Sequence, residues 1–290
     1  MIPRKSTANH DVRCADGATL FLPPSPSIVN LQSPDVHAAS AQKYPLGTLA
    51  WYPGVGKKFR YCLAAEDITQ ATNARLLASA SFAAGAVDAG HSIAANAHGY
   101  NGLAYANAAI GQSYIDIDLT SKAVNFFEGD HLQLLPGCNP MSQYYIIGSD
   151  VSETAYTRVY LDKPLTQLVT TAMYIGISAS PYKRLVNGDG GEVDARYSSF
   201  IGLPLCNADD GEYFWLQTAG PCWVQPGSWA DDRLPGRAPN FREVYAAIDG
   251  AVTCSWVFGA LTDGYQRVGY LLDATYHEYG SVFIMLQLEG

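Results

Sequence analysis

Residues 113–119 read Ser-Tyr-Ile-Asp-Ile-Asp-Leu. From Tyr114 to Leu119 the apolar and polar side chains alternate, with both aspartates on one face. Successive side chains of a β-strand point to opposite sides, so a period of two describes a half-buried strand. Strand-like runs continue on either side of it: QYYIIGS (143–149), AYTRVYL (155–161), LVTTAMYIGIS (168–178) and ARYSSFIGL (195–203). EYFWLQT (212–218) and CWVQPG (222–227) read as two further strands, and YQRVGYLLDATY (265–276) and SVFIMLQLE (281–289) follow. In REVYAAIDGAVTCSWVFG (242–259), Asp249-Gly250 separates two strand-like halves, a short-range hairpin signal. In AVNFFEGDHLQLL (123–135), Glu128-Gly129-Asp130 reads as a turn between two more. About a dozen short strands at spacings of roughly 8–12 residues predict a mainly β chain, a β-sandwich or β-barrel of jelly-roll-like or Greek-key type. No helical pattern separates the strands, which disfavours parallel α/β arrangements. No repeat of about 20–50 residues is apparent, which disfavours propellers and solenoids.

Composition agrees. Of 290 residues, 48% are hydrophobic and 16% charged, enough apolar surface for a sizeable core. Nineteen Tyr stand against seven Lys, a balance that favours strands over long helices. One segment has acceptable helix propensity, EDITQATNARLLASA (66–80), and is the best helix candidate despite a poor apolar period. Residues 80–112 are Ala- and Gly-rich, predicting loops and short strands, and suggest a division of the body near 112.

The first 43 residues differ. Pro3, Pro23, Pro24, Pro26 and Pro34 punctuate them, and proline removes a donor and keeps the preceding backbone extended. They read as an extended N-terminal arm on a β-rich body spanning 44–290. The apolar pieces Leu20-Phe21-Leu22 and Ile28-Val29 suggest that the arm docks, on a neighbouring subunit or on its own body.

The net charge of -9 argues against a nucleic-acid partner, which calls for a basic face. No stretch reads as a signal peptide or a membrane span, so no membrane partner is expected. Six cysteines at 14, 62, 138, 206, 222 and 254 form no C-x-x-C pair, and no zinc site is expected. Synthesis in a cytoplasm makes free, mostly buried thiols the expectation.

Residues that carry chemistry elsewhere are weak here. Gly54-Val55-Gly56-Lys57-Lys58 lacks the first glycine and the Ser/Thr of a phosphate loop and reads as a hairpin turn. Asp130-His131 and His277-Glu278 are neighbours in sequence, and neighbours on a strand face apart. Paired carboxylates occur at Asp116/Asp118, Asp209/Asp210 and Asp231/Asp232, and Tyr213, Trp215, Trp223 and Trp229 offer aromatic surface for a sugar. Trp215, flanked by strand residues, reads better as core. Asp189, Glu192 and Asp194 in 187–194 lack the spacing of a calcium loop, and a polar hairpin is the favoured reading. No catalytic, cofactor-binding or metal-binding residue is therefore assigned, and no cofactor is expected.

Four segments taken together carry a resemblance: KKFRYCLAAEDI (57–68), AYTRVYLDKPL (155–165), GEYFWLQTAGPCWVQPG (211–227), and YQRVGYLLDA (265–274) leading to VFIMLQLEG (282–290). Over 44–290 the chain resembles the head-decoration, or capsid cement, proteins and minor structural proteins of tailed bacteriophages. The resemblance implies a non-enzymatic virion protein on the capsid exterior. Its partners would be the major capsid protein and further copies of itself, often as a trimer. The rival reading is a tail, fibre or receptor-binding β-module that recognises host glycans through exposed aromatics.

Overall fold

The computed structural model describes residues 10–13, 19–22, 37–69, 76–79, 100–120, 124–135, 142–150, 155–183, 185–187, 199–226, 242–247, 250–254, 266–273 and 282–289. The protein is mainly β, with antiparallel sheets and no α-helix among those residues. It divides into two compact units. The first is built on residues 86–180 with 1–10 and 22–29; the second comprises 11–21, 30–85 and 181–290. Position 112, where the composition suggested a division, lies inside the first unit.

Ahead of residue 86 come β1 (His10–Arg13), β2 (Thr19–Leu22), β3 (Leu49–Tyr52), β4 (Lys57–Leu63) and β5 (Leu77–Ser79). The first unit carries β6 (Tyr100–Leu103), β7 (Tyr114–Ile117), β8 (His131–Leu135), β9 (Gln143–Ser149), β10 (Thr157–Leu161) and β11 (Tyr174–Ser178). These six form one sheet in the order β6-β11-β8-β9-β10-β7. The edges meet at one bridge: Tyr105 N–H donates to Asp116 O (2.9 Å) and Asp118 N–H to Leu103 O (3.3 Å), which makes the sheet nearly closed and barrel-like. The bridge covers part of both edges at that seam. The alternation in 114–117 buries Ile115 and Ile117 and turns Tyr114 and Asp116 outward. Val159 and Leu161 from β10 and Ile175 and Ile177 from β11 fill the same interior.

The second unit continues with β12 (Leu185–Asn187), β13 (Phe200–Pro204), β14 (Tyr213–Val224), β15 (Glu243–Ala246), β16 (Val252–Cys254), β17 (Arg267–Asp273) and β18 (Val282–Gln287). Its sheet runs β1-β2-β3-β4-β14-β18-β17-β15-β16, with β13, β5 and β12 branching from β14. Val252 N–H donates to Gln225 O (3.0 Å), bringing β16 back to the end of β14. Val224, Val244, Val252, Val268, Ile284 and Leu286 line that interior.

The two strands read at 212–218 and 222–227 are one twelve-residue strand, β14, which pairs with β4, β13 and β18. A register shift between Gln217 and Ala219 bends it, and the buried Gln217 side chain donates to Ala219 O and Pro221 O. Gly220 has φ +99°, and a Cβ there would stand 2.6 Å from Gly56 O. Only glycine lets the β3–β4 turn approach so closely. That turn is the hairpin expected at Gly54–Lys58. The hairpin that joins β15 to β16 is present too, with Gly250 at φ +76° and Asp249 outside the described residues.

Two expectations change. The helix expected over 66–80 is absent from the described residues of that stretch: 66–69 is a loop and 77–79 is β5, with 70–75 outside the described residues. Ile68, Leu76 and Leu77 are all buried, a demand that helical spacing of this segment cannot meet. In 123–135 only the second half is a strand; 124–129 is turn. The described parts of the arm lie on the protein itself. Thr19–Phe21 pair with Leu49–Trp51, Leu20 is fully buried, and Ala39 and Tyr213 exchange backbone hydrogen bonds.

Candidate functional site

Each unit carries a pair of loops tied side by side by backbone hydrogen bonds, and the two pairs follow one pattern. In the first unit, Ala108 N–H donates to Val169 O (2.9 Å) and Val169 N–H to Ala108 O (3.0 Å). One turn along, Gly111 N–H donates to Leu165 O and Leu165 N–H to Gln112 O, both 2.8 Å. In the second unit, Ala208 and Ile68 exchange bonds of 3.1 and 2.6 Å, Gly211 N–H donates to Ala64 O (3.2 Å) and Ala64 N–H to Glu212 O (2.9 Å). The strands correspond as well: β10 pairs β7 and β11 pairs β6, as β4 pairs β14 and β5 pairs β13.

The correspondence is an internal repeat at a spacing of 100 residues. Gly102-Leu103, Asn107-Ala108 and Gly111 recur as Gly202-Leu203, Asn207-Ala208 and Gly211. Gly111 (φ +88°) and Gly211 (φ +80°) share a left-handed backbone that L-residues resist. Ala104, Ala108, Leu165 and Val169 face the first core, and Ala64, Ile68 and Ala208 the second. A search confined to periods of 20–50 residues passes over this repeat; comparing the chain with itself at wider spacing finds it.

The outward side chains of the two loop pairs differ. Glu66, Asp67, Asp209, Asp210 and Glu212 stand in the second unit where Gln167, Leu168, Ala109, Ile110 and Gln112 stand in the first. Asp67 accepts from Asp210 N–H (3.0 Å) and Glu212 from Asp209 N–H (3.0 Å), while Glu66 accepts from both nitrogens of Asn187. In the first unit Ile110 is 67% and Leu168 55% exposed. Leu103 and Tyr174, directly opposed across β6 and β11, are exposed as well. Tyr105, 44% exposed, stacks on Tyr156 at 5.0 Å.

Beside Tyr156 runs a row of aromatic and charged groups on the outer face of β7 and β10. Arg158 makes a two-pronged pair with Asp116 (2.7 and 2.9 Å) and lies 4.1 Å from the centre of the Tyr114 ring. The hydrogen bond to Asp116, opposed by some burial, raises the Arg158 pKa still further. Tyr160 donates to Asp150 (2.7 Å), and burial together with that bond pushes its phenol up to about 12.

A shallow cleft of about 360 Å³ opens beside β8 and β9, lined by His131, Gln133, Gln143, Tyr145, Lys163 and Ser178 among others. The His131 and Tyr145 rings meet edge to face at 5.6 Å. Partial burial lowers the His131 pKa, against the pull of Asp162. Asp130 faces the other way: it is buried and accepts from Ser180 N–H (2.8 Å), so the adjacent pair points apart, as strand geometry requires.

The remaining candidates are dispersed. Asp116 is held by Arg158, and Asp118 sits beyond the end of β7. Asp209 and Asp210 lie in the acidic loop pair. Trp215 is 2% exposed, packed among Tyr44 and Tyr61, whereas Trp223 is exposed against Phe283. No shared sugar platform joins Tyr213, Trp215 and Trp223. Cys62 and Cys222 are buried free thiols; burial raises both, Cys222 to about 12. Among the described residues no group of three or more His, Cys, Asp or Glu is arranged to hold a metal. Asp189, Glu192, Asp194, Trp229, Asp231, Asp232, His277 and Glu278 lie outside the described residues. Arg60, Tyr182 and Glu289 form one more charged cluster, in which Glu289 accepts from Arg60 Nε and from the Tyr182 hydroxyl (2.7 Å). It ties the end of the chain to β4.

Compared with protein-family models, with curated proteins and with solved structures, the chain matches none.

Proposed function

We propose that this protein is a non-enzymatic virion component that binds and stabilises the outside of a tailed-phage head, made in the host cytoplasm and acting as a homo-oligomer. The observation that carries the reading is the loop pair of the first unit. Its backbone is fixed by reciprocal hydrogen bonds, yet it presents Ile110, Leu168 and Tyr105 outward. Rigid apolar protrusions suit the assembly of copies into a coat, because little side-chain or loop freedom is lost when they meet. The charged clusters support the same reading: Asp116–Arg158 and Arg60–Glu289–Tyr182 each join separate strands or loops. The resemblance of 57–68, 155–165, 211–227, 265–274 and 282–290 to capsid cement proteins supplies the choice of partner. Mixing the protein with undecorated capsids should give a co-sedimenting complex that resists heat better than bare capsids. Failure to co-sediment at any ratio sinks the reading.

One observation favours a second reading, recognition of host glycans by a tail or fibre module. The stacked Tyr105 and Tyr156, flanked by the Asp116–Arg158 pair, combine flat apolar faces with fixed polar groups, as sugar rings require. Glycan-array binding that Tyr105→Ala abolishes, without capsid affinity, would select it.

A further inference from the structure

We infer that the loop pair of the first unit is a self-association surface, at which copies of this chain meet tip to tip about a shared symmetry axis. The argument concerns the free protein and does not rest on the capsid reading.

The molecule contains its own control. The same backbone pattern is built twice, and in the second unit the outward positions are Asp67 and Asp210, not Leu168 and Ile110. The fold therefore does not need apolar side chains there. Two large aliphatic groups left 67% and 55% exposed on a hydrogen-bonded loop are costly to hydrate and call for a cover.

Charge selects the cover. The chain carries a net charge of -9, so two copies repel wherever their acidic faces approach. Residues 101–115 and 164–178, which hold both loops and the opposed Leu103 and Tyr174, contain no Asp, Glu, Lys or Arg. The corresponding loops of the second unit hold five carboxylates and would set five against five. The neutral tip is thus a face on which like chains meet with the least repulsion. Symmetric association sets identical patches together, and an apolar patch is complementary to itself in a way that a charged one is not. Thr171, Asn107 and Gln112 supply a polar rim, with Thr171 N–H already held by the Asn107 side chain (3.0 Å).

Sedimentation velocity on the full chain tests this, from about 1 to about 100 μM, where apolar contacts of modest size assemble. The wild type should show a concentration-dependent oligomer. Raising the salt should preserve or strengthen it, because salt screens the net charge and leaves apolar contact intact. The double variant I110D/L168D gives the first tip the residues of the second and should run as a monomer, or associate at least about tenfold more weakly. T171E places a charge on the rim without touching the apolar pair and should weaken association by a smaller factor. The reciprocal D67L/D210I should add a second mode of association and larger species. A wild type monomeric throughout the range overturns the inference, as does unchanged association in both I110D/L168D and T171E. If the wild type is monomeric and I110D/L168D loses capsid co-sedimentation instead, the tip faces the capsid and not another copy.

Discussion

The loop pair at 104–112 and 165–173 and the pair at 205–212 and 64–69 share their hydrogen bonds and differ in almost every outward side chain. In one, Ile110 and Leu168 meet solvent; in the other, Asp210 and Asp67 do. What the pairs keep in common is what the backbone needs. Buried residues at 108 and 169, or 208 and 68, anchor the bridge, and a glycine at 111 or 211 takes the left-handed turn. The difference teaches that the inner positions carry the fold and leave the outer ones open to carry function. One architecture thus presents a neutral adhesive tip and an acidic repelling one.

The largest expected effect breaks the anchors. Ile68→Ala should cost about 3 kcal/mol and Val169→Ala about 2 kcal/mol, since each removes a fully buried side chain and leaves a cavity. All five tryptophans lie outside residues 86–180. Tryptophan fluorescence in urea should therefore follow the first substitution, and far-ultraviolet circular dichroism the second. A cost below about 1 kcal/mol at either anchor would show that the two bridges are not energetically alike. Next come Gly111→Ala and Gly211→Ala. Each φ is strongly positive and a Cβ meets nothing within 4 Å, so each should cost about 1 kcal/mol, nearly equally. Unequal losses would break the equivalence of the turns.

A smaller effect appears at high pH. Burial holds the Cys222 thiol at about 12 against an ordinary value of 9.0. The unfolded chain ionises first, so this stability is whole below pH 9 and is lost as pH rises towards 12. Cys222→Val should flatten the fall of the melting temperature above pH 9, and an unchanged slope would remove Cys222 from the account. The smallest effect on folding belongs to the exchange at the first tip. I110D/L168D should change stability by less than about 0.5 kcal/mol, because exposed positions away from caps and cores seldom do more, whereas D67L/D210I also removes the Asp67 carboxylate that accepts from Asp210 N–H and should cost about 1 kcal/mol. A large loss would mean that the outer side chains hold the loops after all.

The strands were legible where one face is buried and the other wet. Ile115/Ile117, Val159/Leu161 and Ile284/Leu286 all sit on the inward side of a strict alternation. The Asp249-Gly250 hairpin and the buried role of Trp215 were legible for similar local reasons. β14 was not, because Thr-Ala-Gly-Pro in its middle reads as a turn; a bulge and a buried amide carry the strand through it. The stretch 66–80 misled through its propensities, which tertiary burial of Ile68 and Leu77 overrides. The loop tips were hardest. Ala-Asn-Ala-Ala-Ile looks like featureless linker until hydrogen bonds from a segment some 60 residues away show which of its side chains face out.

The first unit is interposed between β5 and β12 of the second, and this orders events on the ribosome. Strands β6 to β11 emerge consecutively and can close once Ser178 has left the ribosome. β4 is less fortunate: after Leu63 its partner β14 begins only at Tyr213, some 150 residues later. At typical elongation speeds, roughly 5–20 residues per second, the early strands of the second unit wait for several seconds or more. Tyr61 and Cys62 lack their partners Trp215 and Phe214 for that time. Nascent-chain proteolysis on chains stalled after Ser178 but before Tyr213 has left the ribosome should find β6 to β11 already protected and β4 still open to attack.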